Sequence, residues 1–331
     1  MNNTQQDLLA LEKLEDSRNS FFSEINKIVI GQQDILEYLL IAILSRGHSL
    51  LVGVPGLAKT LIIKTLADVL DLSFKRIQFT PDLMPSDITG TELIDIDNNT
   101  SQRSFRFYQG PVFSNIVLAD EINRTPPKTQ AALLEAMQEN KVTAGGKTYS
   151  LDEPFFVLAT QNPIEQEGTY PLPEAQLDRF MFNLNIEYPT TEDEIAIVRG
   201  TTTKNQTALN PVIKKSDILF FQDLVRRVPV AENVIEYAVK LVSSTRPKSN
   251  IAPKFIQQLI EWGAGPRASQ YLILGAKAKA ILDGRPSPNI NDVKSLALPI
   301  LRHRVLPNFN AEAEGLKVED FISKLLDELE Q

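Results

Sequence analysis

The segment from Gly53 to Thr60 has the residue types that hold a chain of phosphates. It reads Gly-Val-Pro-Gly-Leu-Ala-Lys-Thr and lies between a short apolar run and a stretch with helical spacing. In a strand, loop and helix of this kind, successive backbone N–H groups form an anion nest, and the helix N-terminus adds partial positive charge. Lys59 would then reach the terminal phosphates, and the Thr60 hydroxyl would ligate Mg²⁺. The segment therefore predicts a site for a nucleoside triphosphate.

Ala58 departs from the usual pattern of this loop, in which glycine precedes the lysine. The position enters a helix and needs an N–H group rather than a positive φ, so we expect alanine to be tolerated there. The eight residues by themselves also fit an ordinary Gly-Pro turn before a helix. The choice between the two interpretations depends on the rest of the chain.

Two adjacent carboxylates follow an apolar run. Residues 116–119 predict a buried strand, and Asp120 and Glu121 come directly after it. The carboxyl ends of parallel strands face the ligand crevice, so Asp120 would hold Mg²⁺ through water and Glu121 would orient and polarise an attacking water. Taken alone, the pair also fits a strand that ends in solvated acids. The phosphate loop upstream favours the catalytic interpretation.

Two further polar positions each admit two interpretations. Asn162 follows a strand predicted at 155–160 and would hydrogen-bond the attacking water or the γ-phosphate, or form a polar turn before Pro163. Arg179, within Asp178-Arg179-Phe180, would reach the phosphates of a neighbouring subunit and stabilise charge in the transition state. An isolated Asp-Arg pair is better explained as a surface ion pair. The local sequence alone therefore establishes neither functional role.

Strand-like and helical segments alternate through the first 189 residues. Several strand-like segments are apolar on both faces, which predicts a buried parallel sheet with helices on each side. The predicted strands are 49–52, 74–79, 115–119, 155–160 and 181–186, and the helices between them include 59–70 and 129–139. Two stretches, 91–108 and 141–149, break the alternation and predict hairpins.

The pattern is helical from Thr191 onward. Candidate helices lie near 192–201, 216–227, 231–244, 269–282, 291–304 and 318–329. Ser216, Ser269 and Asn291 are the expected N-caps. A chain of 331 residues is too long for one compact core. We therefore expect an α/β nucleotide-binding domain at 1–189 and an all-helical domain at 190–331.

Composition excludes several classes of site. The chain has no cysteine and only two histidines, which rules out disulfides and thiolate chemistry and argues against structural zinc. A formal net charge of −8 argues against a general nucleic-acid binder. No apolar run approaches the roughly 20 residues that cross a bilayer, and the N-terminus does not read as a secretory signal. We expect a cytoplasmic protein without membrane insertion.

Several motifs together resemble the MoxR family of AAA+ ATPases. They are Gly53–Thr60, 119–124 (Ala-Asp-Glu-Ile-Asn-Arg), 131–139, 159–163 (Ala-Thr-Gln-Asn-Pro) and 177–180 (Leu-Asp-Arg-Phe). The similarity runs from about Val29 to Leu306, and alanine at the position of Ala58 is usual in that family. The resemblance implies a P-loop AAA+ core followed by a helical lid domain. It also matches the hairpins at 91–108 and 141–149 to the helix-2 insert and the pre-sensor-1 hairpin.

The resemblance implies a role for each matching residue. Lys59 and Thr60 correspond to Walker A, Asp120 and Glu121 to Walker B, and Asn162 to sensor 1. Arg179 matches the arginine finger, which acts across a subunit interface, and Arg267 matches sensor 2 at the start of a lid helix. The residues expected to contact the nucleotide are Val29, Ile30, Gly53, Val54, Pro55, Gly56, Leu57, Ala58, Lys59, Thr60, Leu61 and Asp120.

The function implied is Mg²⁺-dependent ATP hydrolysis in a ring, usually of six subunits, that remodels or matures a protein client. Clients of such rings often carry a von Willebrand factor A domain. Two other motors share much of this sequence pattern: the motor subunit of a metal-chelatase-like complex, and a nucleic-acid-remodelling ring. A non-enzymatic scaffold would need altered Walker residues, and those of this chain are intact.

Aromatic and basic residues outside these motifs have alternative interpretations. Phe105, Phe107 and Tyr108 lie where they would grip a client at a ring pore, but their alternation favours a half-buried strand. Trp262 is expected in the core of the helical domain. The cluster 302–304, Arg-His-Arg, fits either a phosphate contact or a helix C-terminus complemented by positive charge.

Overall fold

Strands and helices alternate through the first half of the chain, and helices dominate the second half. The computed structural model describes residues 3–96, 103–164, 168–202 and 208–329. In chain order the elements are α1 (Asn3–Ile25), α2 (Gln33–Leu44), β1 (Ser49–Val52), α3 (Lys59–Val69), β2 (Phe74–Gln78), α4 (Pro85–Thr89), β3 (Gly90–Ile96), β4 (Arg103–Gln109), β5 (Ile116–Asp120), α5 (Pro127–Glu139), β6 (Lys141–Ala144), β7 (Lys147–Ser150), β8 (Phe156–Gln161), α6 (Glu174–Leu177), β9 (Phe182–Asn185), α7 (Thr191–Thr201), α8 (Lys215–Arg227), α9 (Glu232–Ser244), α10 (Lys254–Leu259), β10 (Ile260–Trp262), α11 (Pro266–Leu282), α12 (Ile290–Leu301), β11 (Leu306–Pro307), α13 (Phe309–Ala313) and α14 (Val318–Glu328).

The central sheet is parallel, with the strand order β2-β5-β8-β1-β9. Its inner strands are apolar on both faces because helices cover both sides. Leu118 on one face belongs to an apolar cluster with residues of α1, α2 and α3, whereas Val117 on the other face belongs to a separate cluster with residues of α4 and α5. The predicted α/β architecture is confirmed, and each predicted strand lies within one residue of an observed one.

The strand order fixes where polar side chains leave the sheet. Gln78 pairs in register with Asp120, and Val52 pairs with Gln161. All four residues end their strands, and the strands run in the same direction. The carboxyl ends of β1, β5 and β8 therefore lie at the same edge of the sheet. They lead into the phosphate loop, the paired acids and Asn162, respectively.

The helices after Thr190 share a core with the start of the chain. A continuous apolar cluster joins Phe21 of α1 and Leu36 of α2 to Leu272 of α11 and Leu296 of α12. The helical character of this region is confirmed, while the domain limits 1–189 and 190–331 stay a prediction. Within the described ranges, no helix is both long and apolar enough to span a membrane.

The predicted N-caps of three helices are wrong. Ser216, Ser269 and Asn291 all lie inside helices, because α8 starts after Lys214 and α11 starts at a proline, whose fixed φ suits the first helical turn. Asn289 caps α12, where its side-chain oxygen accepts the N–H groups of Asn291 and Asp292. Side chains with capping chemistry occur more often than helix starts, so their presence alone did not locate the boundary.

Both predicted hairpins are observed. β3 pairs with β4 from Gly90 opposite Gln109 to Ile96 opposite Arg103, and the intervening residues 97–102 lie outside the described ranges. β6 pairs with β7 in the second hairpin. The two hairpins touch, since the ring of Phe107 stacks on that of Tyr149 with 4.2 Å between centroids.

Two expectations about aromatic side chains are wrong. Phe105 is 74 % exposed and Tyr108 is also exposed, so β4 is not a half-buried strand. Only Phe107 is partly covered, by the stack on Tyr149. Trp262 is 68 % exposed on β10 and is not in the core of the helical region. In each case the residue type suggested burial, but the element that carries it lies at the surface.

His48, directly before β1, is buried beside the rings of Phe155 and Phe156. Its Nδ1 accepts the N–H of Val157 at 3.1 Å, and Nε2 therefore donates to the carbonyl of Met137, also at 3.1 Å. Burial lowers the pKa of His48 to about 4, although the bond to Met137 opposes the shift. Burial also lowers the pKa of His303 well below its usual value. Both histidines are neutral in the folded protein near pH 7.

We expect the free energy of unfolding to fall as the pH drops from 7 to 5. The unfolded chain protonates its histidines near pH 6.5, whereas folded His48 stays neutral until about pH 4. The unfolded state therefore binds more protons in this window, and stability is lost as the pH falls, by roughly 2 kcal/mol for His48. Urea unfolding followed by circular dichroism at pH 7, 6 and 5 would measure the slope. His48→Gln should be less steep, and an unchanged slope in that variant would contradict the assignment.

Candidate active site

The loop from Gly53 to Ala58 carries the chain from the end of β1 to the start of α3. Its glycines are required for different reasons. A Cβ on Gly53 would lie 2.2 Å from Cγ2 of Ile186, so only glycine allows this approach. Gly56 has φ of 90°, which side chains rarely adopt. The loop thus has the tight backbone path that brings N–H groups together at the N-terminus of α3.

Ala58 does not behave as expected. Its φ is 55°, in the left-handed region, where it serves as the N-cap of α3. The expectation that this position needs no positive φ is wrong, and glycine would relieve a strain of roughly 1 kcal/mol. A strained non-glycine residue at this point shows that the surrounding loop imposes the conformation.

Lys59 opens α3 and points back along the loop. Its ammonium group donates a hydrogen bond to the carbonyl of Gly53. Burial lowers the pKa of Lys59, and the negative charges of Asp120 and Glu121 oppose that shift. The ammonium group therefore lies within electrostatic reach of both acids, which is the arrangement expected around bound phosphates.

Asp120 is buried at the end of β5 and both of its oxygens have partners. The Thr160 hydroxyl donates to Oδ1 at 2.6 Å. The Arg76 guanidinium donates twice to Oδ2, at 2.6 and 3.1 Å, from the neighbouring strand β2. Sequence reasoning missed Arg76 and Thr160. Their only signal was position, because each lies on a strand predicted to flank β5.

Glu121 has φ of 57°, and its backbone is held in this rare conformation by Thr160. The Thr160 hydroxyl accepts the N–H of Glu121 at 2.9 Å, so one hydroxyl joins both acids. The carboxylate accepts hydrogen bonds from Gln78 Nε2 and from Arg124 Nη1, each at 3.0 Å. Glu121 is thus oriented by two side chains that the sequence analysis did not identify.

A cavity of about 640 Å³ adjoins the loop, a size that suits a nucleoside. Its walls are mainly aliphatic and include Val29 and Ile30, the predicted base-contacting segment. Of the predicted loop residues, Pro55, Gly56, Leu57, Ala58 and Leu61 line the cavity, whereas Gly53, Val54, Lys59, Thr60 and Asp120 do not.

One wall of the cavity was missed by the sequence analysis. Tyr188 and the α7 residues Ile197 and Val198 form it. The Thr190 hydroxyl caps α7 by accepting the N–H of Asp193 at 3.2 Å, which fixes where this wall begins. The spacing of the apolar residues in α7 was visible, but the surface that they face depends on how α7 folds back over the loop.

Asn162 follows β8. This strand lies between β5, which carries the acids, and β1, which leads to the phosphate loop. Its side-chain oxygen accepts the N–H of Ile164 at 3.1 Å, as the polar-turn interpretation expects. That bond leaves the amide nitrogen as the group that would donate to a phosphate or water. The role of Asn162 as a sensor stays a prediction.

Neither Arg179 nor Arg267 lines the cavity, and Arg267 is paired with the residue before Arg179. Arg267 Nη1 donates to Asp178 Oδ2 at 2.8 Å, next to Arg179 in sequence. Among the described residues, the Arg179 guanidinium has no hydrogen-bond or ion-pair partner. The structure thus brings Lys59, Asp120 and Glu121 into one group and the two arginines into another.

The donor set at the first group suits Mg²⁺. The ion needs only one or two protein oxygens when phosphates and waters supply the rest, and the Thr60 hydroxyl and the Asp120 carboxylate are such ligands. Arg76 provides the positive charge next to Asp120 in this structure. Within the described ranges, no group of three or more histidine or acidic side chains is placed to hold a metal ion.

Comparisons with known proteins agree with this geometry. Residues 48–182 match the model of the ATPase family associated with various cellular activities (AAA), and residues 254–325 match the AAA lid domain. The chain is 41 % identical to Chaperone MoxR1 of Mycobacterium tuberculosis, over 92 % of this chain and 79 % of the relative. It is 43 % identical to protein YeaC of Bacillus subtilis, over 91 % of each. A crystal structure of a Cytophaga hutchinsonii protein assigned as an ATPase superposes with a TM-score of 0.88 at 44 % identity, over 96 % of both chains.

Proposed function

Because the chain belongs to the MoxR family of AAA+ ATPases, we propose that it hydrolyses Mg²⁺-bound ATP in a ring, usually of six subunits, in which each subunit completes its neighbour's site. ATPase activity is the property of this family. The observation that carries the proposal is the meeting of Lys59, Asp120 and Glu121 at one edge of the sheet, with the Thr160 hydroxyl joining the two acids.

Each residue at this edge of the sheet has a separate role in hydrolysis. The backbone N–H groups of the loop and Lys59 bind the β- and γ-phosphates. Thr60 and Asp120, the latter through water, would hold Mg²⁺, which supplies charge neutralisation at the phosphate oxygens. Glu121, oriented by Gln78 and Arg124, positions the attacking water and accepts its proton. Asn162 donates a hydrogen bond to the γ-phosphate or to that water.

The two arginines are assigned to the neighbouring site. The guanidinium of Arg179 is not used within the described part of its own subunit, and it does not line the cavity beside its own phosphate loop. A half-buried guanidinium without a partner in the described part of its own subunit suits a residue that stabilises transition-state charge in trans. Arg267 pairs with Asp178, the residue before Arg179, so we assign it to the same interface.

We expect Arg179→Ala to bind ATP normally and to lose hydrolysis by about 10³-fold, because the finger acts only in the transition state. Mixing this variant with Glu121→Gln should restore part of the activity, since a mixed ring contains pairs with an intact acid on one subunit and an intact finger on the next. Phosphate release and ring composition would be measured together. Arg226→Ala, an exposed arginine on α8, is the control. Failure to restore activity in rings shown to be mixed would contradict a trans finger.

We further propose a chaperone-like remodelling role on protein clients, including ones with a von Willebrand factor A domain. Chaperone MoxR1 is a relative with that description. The hairpin of β3 and β4 supports a client surface, because Ile94 and Phe105 lie opposite each other and are 57 % and 74 % exposed. Exposed apolar side chains in such a ribbon are typical of an interaction site. We also propose that the two domains of the chain are 1–189 and 190–331.

A further inference from the structure

The Arg304 side chain hydrogen-bonds the backbone on both sides of Arg179. It follows α12, and its guanidinium donates to the carbonyls of Asp178, Phe180 and Met181 at 2.8, 2.7 and 3.3 Å. It also donates to the carbonyl of Ile300 in α12 and so complements the end of its own helix, as the sequence analysis allowed. Most of its hydrogen bonds, however, tie α12 to the segment 178–181.

Two more side chains of the helical region hydrogen-bond the backbone of the same segment. The Tyr271 hydroxyl of α11 donates to the carbonyl of Arg179 itself at 3.1 Å. His303 Nε2 donates to the carbonyl of Phe180, also at 3.1 Å, because a carbonyl oxygen can only accept. Each of the four carbonyls from 178 to 181 therefore accepts a hydrogen bond from α11 or from the residues after α12.

Charge makes the contact specific. The side chain of Arg304 is only 2 % exposed, and its Nε donates to Asp178 Oδ1 at 2.7 Å. Burial lowers the pKa of Arg304, and the Asp178 carboxylate opposes that shift. A buried guanidinium is stable only where its hydrogen bonds are satisfied in fixed geometry, so the segment 178–181 cannot move relative to α12 without losing several bonds at once.

The contrast within Arg179 carries the inference. Its carbonyl is held by Tyr271, whereas its guanidinium has no partner in the described part of the chain. We infer that Arg304 and Tyr271 are positioning residues for Arg179. The helical region of one subunit then fixes the position of the arginine finger that acts at the next subunit's site. This inference rests on the proposed trans role of Arg179. A nucleotide-dependent shift of the helical region would then change hydrolysis at the neighbouring site.

Tyr271→Phe removes a single hydroxyl, and Arg304→Lys keeps the charge but removes the planar fork. For each variant we expect kcat to fall about tenfold, with an unchanged KM for ATP, because a misplaced finger weakens only the transition state. Tyr38→Phe is the matched control, since the Tyr38 hydroxyl also bonds a backbone carbonyl, that of Ser295, but does not touch the segment 178–181. If Arg304→Lys fails to fold, Tyr271→Phe decides.

Mixing separates positioning of the finger from a defect in the same subunit's site. A Tyr271→Phe subunit mixed with Glu121→Gln subunits receives a correctly placed Arg179 from its neighbour, so its turnover should rise several-fold. No rise in rings shown to be mixed would overturn the inference, as would wild-type kcat in both Tyr271→Phe and Arg304→Lys when Arg179→Ala is inactive. Wild-type hydrolysis by Arg179→Ala would instead remove the trans finger, and the inference with it.

Discussion

Glu121→Gln should bind ATP as tightly as the wild-type chain and hydrolyse it roughly 10²- to 10⁴-fold more slowly. The glutamine oxygen can still accept the hydrogen bonds of Gln78 and Arg124, so the geometry around residue 121 is retained. What the amide cannot do is take a proton from the attacking water. The loss therefore falls on the chemical step and not on binding.

Single-turnover hydrolysis and nucleotide titration on the same preparation would measure both halves of this prediction. Glu135→Gln, an exposed glutamate on α5, gives the same change of charge at a distance from the acids. Turnover undiminished in Glu121→Gln would remove the assigned role of Glu121. Because Glu121→Gln should retain bound ATP, it is also the variant to use for capturing clients from the native cell.

Lys59→Ala should lose nucleotide affinity by at least about 100-fold. The ammonium group provides charge-assisted hydrogen bonds to the terminal phosphates, each worth roughly 1.5–3 kcal/mol, and the backbone N–H groups of the loop cannot replace that charge. The folded state should tolerate the change, because among the described residues the Lys59 side chain hydrogen-bonds only the carbonyl of Gly53.

Calorimetry with Mg²⁺ and ATP is the direct measurement for Lys59→Ala. Lys64→Ala is the matched control, since Lys64 is an exposed lysine on the same helix α3. Full affinity in Lys59→Ala, in protein that melts at the wild-type temperature, would show that the loop does not bind phosphates. The two variants Glu121→Gln and Lys59→Ala thus separate chemistry from binding.

The residues of the site were predictable to different degrees. The phosphate loop and the paired acids are local patterns, because a short run of sequence specifies the strand, the turn and the polar residue that follows. Arg76, Gln78 and Thr160 were not predictable in this way. They reach Asp120 and Glu121 from strands about 40 residues away in sequence, and only the strand order β2-β5-β8 brings them together.

Backbone conformation was predicted less well than element type. Ala58 adopts a left-handed φ that its residue type disfavours, since the loop around it leaves no alternative. The N-caps of α8, α11 and α12 were misplaced for a related reason. A capping side chain is a local preference, whereas the first residue of a helix depends on where the preceding chain turns.

The amino-acid sequence by itself determined the α/β core, the helical region after it, and the loop and paired acids that we assign to phosphate binding, because hydrophobic periodicity and short motifs depend on residues that are close together in sequence. Tertiary structure alone decided that Trp262 and Phe105 are exposed, and that Asp178 meets Arg267 and Arg304, which are 89 and 126 residues away. Contacts over such separations depend on how whole elements pack. A residue's own type and its neighbours in sequence carry little information about that packing.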